Sequence, residues 1–195
     1  GVVSMFGFFN SAMTNASQRF FSFELGRKDF EKLKRTFSAS LSIHLFIALI
    51  ILFFSETIGL WFVNNKLNFP IDRVVAVNVL YQLTIVTFLI GIVQVPYRSV
   101  LIANEKFNVF AIFSILEIFF KLFAVIGLLY ISGDKIITYS ALLALVAFVM
   151  FFLNYYYCTK QFNESQFNFL YDKELYGNLL GYTSWSLIGN FASVA

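Results

Sequence analysis

Apolar residues in this chain run in long blocks rather than alternating with polar ones. Four stretches, 39–63, 74–96, 109–131 and 136–157, are almost wholly apolar. Each reaches the roughly 20 residues that a helix needs to cross a bilayer. The two flanking stretches, 1–19 and 176–195, are mixed. On a wheel of 100° per residue, Ser4, Gly7, Ser11, Thr14, Asn15 and Gln18 gather in an arc of roughly 100°, with Val2, Phe6, Phe9 and Met13 opposite. In the last stretch Asn178, Tyr182, Ser186, Gly189 and Ser193 recur on one face. The pattern predicts six spans in one all-α, polytopic transmembrane bundle occupying residues 1–195. Only helices or closed barrels satisfy their backbone polar groups in hydrocarbon, and runs this long and continuous are helical. The connections are short apart from 158–174, and Pro96 is expected to kink or end the helix that contains it. Gly1 and Ala195 both fall inside span-like stretches, so the chain is expected to belong to a longer protein with further spans on either side.

Composition agrees with this pattern. Hydrophobic residues make up 59% of the chain and Phe occurs 27 times. A soluble domain of this size could not hide so much apolar surface, because small folds leave much of their area in water. No cleavable leader is visible. The single cysteine, Cys158, excludes an internal disulfide, and no metal-ligand spacing surrounds it.

Lys and Arg orient the bundle. Arg19, Arg27, Lys28, Lys32, Lys34, Arg35, Arg98, Lys106, Lys160 and Lys173 fall in alternate loops; Lys66, Arg73 and Lys135 fall in the others. The positive-inside rule puts the first group in the cytoplasm. The basic run 27–35 contains Asp29 and Glu31 and sits between two spans. It therefore reads as a topology anchor touching anionic headgroups rather than a nucleic-acid patch.

The candidate chemistry lies in the polar residues within the spans. Glu117 and Lys121 sit four residues apart near mid-bilayer, and charges at that depth are costly and usually have a task. Glu preceding Lys by four is the favourable order for an intrahelical pair, so a structural ion pair competes with a ligand-binding role. Thr84, Thr87, Gly91, Gln94 and Arg98 form a second stripe, within roughly 80°. That stripe is either a polar cavity wall or a packed helix face ending in a snorkelling Arg. Three helices with a polar face and a greasy back fit a bundle around an aqueous cleft, and they also fit dense helix packing. Glu56 reads as an outer-rim residue and His44 as a hydrogen-bonded interface histidine.

The segment "GVVSMFGFFNSAMTNASQRFFSFELGRKDFEKLKRTFSASLSIH" combines a small polar helix, an Arg at its inner end and a Gly-Arg-Lys-Asp loop before a Lys-rich helix start. It resembles the second-span to third-span region of bacterial polysaccharide flippases, and "VPYRSVLIANEKFNVFAIFSILE" is similar to their fourth-to-fifth span junction. These flippases belong to the multidrug/oligosaccharidyl-lipid/polysaccharide exporter superfamily. The resemblance implies two six-helix lobes around a central cavity, with this chain supplying most of the N-terminal lobe in a bacterial inner membrane. It implies movement of a lipid-pyrophosphate-linked oligosaccharide from the cytoplasmic to the outer leaflet by alternating access. A cation-coupled multidrug exporter is the alternative within the superfamily. A membrane-embedded glycan polymerase is a further alternative, though the short outer loops hold no paired carboxylates. The candidate cavity residues are Lys121, Glu117, Arg98, Gln94, Asn15, Gln18 and Ser11. The expected partners are the bilayer, the lipid-linked substrate and the remaining spans of the parent protein, with no nucleic acid. No catalytic residue, cofactor or metal is expected.

Overall fold

The computed structural model describes residues 2–131, 133–168 and 172–192. These form an all-α helical bundle with no strand among the described residues. Its helices are α1 (Val2–Gly26), α2 (Phe30–Phe54), α3 (Leu60–Lys66), α4 (Val74–Ala103), α5 (Phe107–Gly127), α6 (Lys135–Gln161) and α7 (Lys173–Ala192). Four rods are long and apolar enough to cross a membrane: Phe30–Lys66, Val74–Ala103, Phe107–Gly127 and Lys135–Gln161. The chain is a membrane protein by that criterion.

Local signals set the helix ends. Lys28, with a positive φ of 58°, turns the chain between α1 and α2, and Asp29 caps α2 by accepting from the Lys32 N–H at 3.0 Å. That cap starts α2 nine residues ahead of the apolar run at 39, so the basic segment is itself helical. Asp134 caps α6 in the same way through the N–H of Ile136. Pro96 neither ends α4 nor shortens it, because the helix continues to Ala103. The neighbours of Pro96 are buried between packed helices, which supply the support that an isolated Pro-containing helix lacks. Between α2 and α3 the rod widens into one π-turn, Ser55–Gly59. The Tyr81 hydroxyl donates to the Ser55 carbonyl at 2.8 Å, and a Cβ on Gly59 would overlap that hydroxyl.

α4 is the hub of the bundle. It packs against α6 most extensively, then α1 and α2, and only lightly against α5. α5 leans on α6, and α7 lies along α1 and α2. Packing is densest at the end bearing the α1–α2 and α4–α5 turns. There Phe21, Phe37, Tyr97, Leu101 and Cys158 are all buried, and Tyr97 meets Phe37, Phe151 and Tyr155 edge-on at 5.3, 6.1 and 5.7 Å. The opposite end is held by polar clasps. Arg73 pairs with Asp134, and Gln82 donates to Glu56 at 3.1 Å. Buried hydroxyls join neighbouring rods: Ser17 bonds Ser40, and Ser99 donates to the Thr14 carbonyl.

The outer faces carry large apolar side chains, among them Phe46, Phe53, Ile118 and Phe123. Contiguous apolar surface on this scale fits lipid contact. Because lipid is as apolar as a Phe ring, stability must come from packing inside rather than from withdrawal of Phe from water. Phe37→Ala is therefore expected to lower unfolding free energy in detergent by about 3 kcal/mol. Phe46→Ala, at a position 62% exposed, should leave it nearly unchanged. Equal losses in a reversible SDS titration would contradict the assignment of faces.

Candidate functional site

A cavity of about 580 Å³ lies between α4, α5 and α6, with Thr14 contributed by α1. That volume is within the range of ligand sites in proteins. α4 supplies one wall. Thr84, Thr87, Gly91, Gln94 and Arg98 all line it, which follows from their recurrence on one side of a 3.6-residue period. Thr84 and Thr87 return their hydroxyl protons to the carbonyls of Leu80 and Leu83, leaving the hydroxyl oxygens as acceptors. Tyr139, Ser140 and Met150 of α6 face the α4 wall. Beyond Arg98, Val100 and Leu101 are buried in the aromatic core, so the cavity is closed toward that end.

The charged centre joins α4 to α5. Glu117 sits mid-way along α5, and both of its oxygens are engaged. Oε2 accepts from Arg98 Nη2 at 2.5 Å and Oε1 accepts from Lys121 Nζ at 2.7 Å. Arg98 does not run outward to the headgroup level; its guanidinium turns along the cavity wall to the carboxylate. The two pairs differ in setting. Arg98 and Glu117 side chains are 32% and 24% exposed, whereas Lys121 is 52% exposed and only one turn away on the same helix. The Arg98–Glu117 pair spans two helices and is the better shielded of the two, so it carries more of the coupling. Two cations and one carboxylate leave the charged end of the cavity with a formal excess of one positive charge. No other Asp or Glu among the described residues lines it.

Gln94 serves a different purpose. It is buried, and its amide donates to the Met150 carbonyl at 3.3 Å, the same carbonyl that receives Asn154 at 2.8 Å. It therefore ties α4 to α6 beside the cavity. Asn15 is exposed and Gln18 is half-buried, and neither lines the cavity, although their neighbour Thr14 does. Ser11 lies outside the described side chains, as do Ser4, Ser186, Gly189 and Ser193.

The remaining polar candidates lie away from the cavity. Glu56 belongs to the π-turn and accepts from Gln82. His44 is buried, and its Nδ1 donates to the Ser40 carbonyl at 2.7 Å, while Nε2 has no partner. The Cys158 thiol is buried and directed at the Tyr97 carbonyl. No cluster of His, Cys, Asp or Glu among the described residues could hold a metal ion.

Two contacts escape a reading of the sequence. Arg98 and Glu117 are 19 residues apart on different helices, and Tyr139 sits at the start of an otherwise featureless apolar run. A lone Arg on the polar stripe of one helix and a lone Glu on the next were the only signals available. Comparison with known families, with curated proteins and with solved structures finds no match to this chain.

A double-mutant cycle with Arg98→Met and Glu117→Gln is expected to give a coupling of about 1–3 kcal/mol. The parallel Glu117–Lys121 cycle should give about 0.5 kcal/mol, as for other helix-surface pairs. Coupling that is larger for Lys121 would show that the inter-helix pair is not the dominant one.

Proposed function

We propose that this protein is a membrane transporter whose α4–α5–α6 cavity receives the anionic, phosphate-bearing head of a lipid-linked oligosaccharide. On this reading the chain forms part of one lobe of a bacterial inner-membrane flippase, and it is not an enzyme. The observation that carries the proposal is the charge count. Among the described residues, the charged end of a polar cavity, inside an apolar bundle, presents Arg98 and Lys121 against Glu117. Arg offers a planar fork suited to phosphoryl oxygens and Lys a compact point charge. The hydroxyl-bearing wall above them, Thr84, Thr87, Tyr139 and Ser140, suits a sugar. The polyprenyl tail would stay in the bilayer against faces such as those of Phe46 and Phe123. Rocking of this bundle against a second lobe would then change the side to which the cavity opens.

The resemblance of the first span and of the α4–α5 junction to polysaccharide flippases supports the same reading. A cation-coupled drug exporter would need a cavity carboxylate free to meet an organic cation, and both oxygens of Glu117 are already engaged. The charge count therefore favours the anion.

The test is transport of a fluorescent lipid-linked oligosaccharide in proteoliposomes containing the protein. Lys121→Ala and Arg98→Ala should each slow flipping at least about tenfold, a loss of about 1.4 kcal/mol of differential binding or more. Phe119→Ala, on the lipid side of α5, should leave it unchanged. Wild-type rates in both cavity variants would remove the cavity cations from the mechanism.

A further inference from the structure

We infer that Glu117 sets a charge threshold on the ligand: it occupies the anion site of the empty cavity, and only a group carrying two or more negative charges displaces it. The inference rests on the anion-binding reading above and extends it to a charge class. The ligand is a phosphomonoester or a pyrophosphate, not a carboxylate or a monoanionic phosphodiester.

The geometry supports this directly. The Glu117 carboxylate spans both cations, one oxygen to each, at 2.5 and 2.7 Å. Two oxygens on one centre facing an Arg and a Lys is the arrangement that a phosphoryl group would adopt there. The side chain is therefore an internal stand-in for the ligand. Arg98 from α4 and Lys121 from α5 hold its two oxygens. Tyr139 of α6 and Thr14 of α1 line the same cavity, and among the described residues no second carboxylate lines it to share the cations.

Competition follows from tethering. Glu117 is attached to the site, so it holds the cations at an effective concentration that free ligands must exceed. A monoanion replaces one carboxylate-like contact with another and loses its own hydration, so it gains almost nothing. A dianion makes the same two contacts with twice the charge, so its Coulomb attraction to the two cations is roughly doubled. Glu117 then swings away on its flexible stem, and its charge is taken up by cavity water or by a proton. A phosphomonoester, with a second pKa near about 6, is mostly dianionic at neutral pH and passes the threshold.

The test uses the chain in nanodiscs of zwitterionic lipid at pH 7.5, with octyl pyrophosphate, octyl phosphate and methyl octyl phosphate as probes followed by calorimetry. The three share one tail and differ in head charge. The wild type should bind the two multiply charged probes at least about tenfold more tightly than the diester. Glu117→Gln keeps the shape and removes the competitor, so all three probes should bind about tenfold more tightly, which brings the diester into the measurable range. Glu117→Asp, whose shorter arm cannot span both cations, should give affinities between the two, and it serves if the Gln variant does not fold. Affinities that are unchanged in these variants, with wild-type binding intact, overturn the threshold while leaving the anion site standing. Failure of the wild type to bind any of the three probes overturns the anion site and the threshold together.

Discussion

The bundle depends on one carboxylate shared between two cations. In a medium with little water, an isolated Arg or Lys is costly, and so is an isolated Glu; each is tolerated because the others are within contact distance. Glu117 links α5, which otherwise leans on α6 and barely touches α4, to the hub of the bundle through Arg98. The same contact that secures α5 also leaves a surplus of positive charge beside a cavity. Structure and proposed activity thus rest on the same three side chains. A ligand that engages the cations must also loosen the link between α4 and α5, which gives binding a mechanical consequence.

The two ends of the bundle are built differently, and the difference suits movement about one end. The end bearing the α1–α2 and α4–α5 turns is a dry aromatic cluster around Tyr97 in which Phe37, Phe151 and Tyr155 interlock. Such packing has few alternative arrangements. The other end is clasped by exposed polar contacts, Arg73 to Asp134 and Gln82 to Glu56, together with the π-turn at Ser55–Gly59. Solvated clasps are weak and readily exchanged, and π-turns recur where helices serve function. In the transport reading the aromatic end moves as one unit, and the clasped end is where the helices of this bundle can part.

Much of this was legible in the residues themselves. Run length gave the four rods that are long and apolar enough to cross, because hydrocarbon thickness fixes how many apolar residues a helix needs. The α4 stripe from Thr84 to Arg98 could be read off as one face, and all five of its residues line the cavity. The wheel could not say which helix that face meets, since periodicity fixes direction around one axis and nothing about neighbours. For that reason the Arg98–Glu117 contact was invisible, and Glu117 with Lys121 looked balanced until a third charge arrived. Asn15 and Gln18 lie outside the cavity lining. They share an arc with Thr14, but a helix wedged between neighbours divides such an arc among several surroundings. Pro96 does not end α4, because packed neighbours enclose the helix there.

The sign of the field in the cavity is the most direct test of the account. It can be measured by placing a single cysteine at Thr87, with Cys158 replaced by Ala, and comparing its reaction with anionic and cationic methanethiosulfonate reagents of similar size. After correction for their rates with a free thiol, the anionic reagent should react several-fold faster, and that advantage should vanish when Lys121 is replaced by Gln. Faster reaction with the cationic reagent, or no reaction with either from water, would contradict a wet cavity carrying a surplus of positive charge.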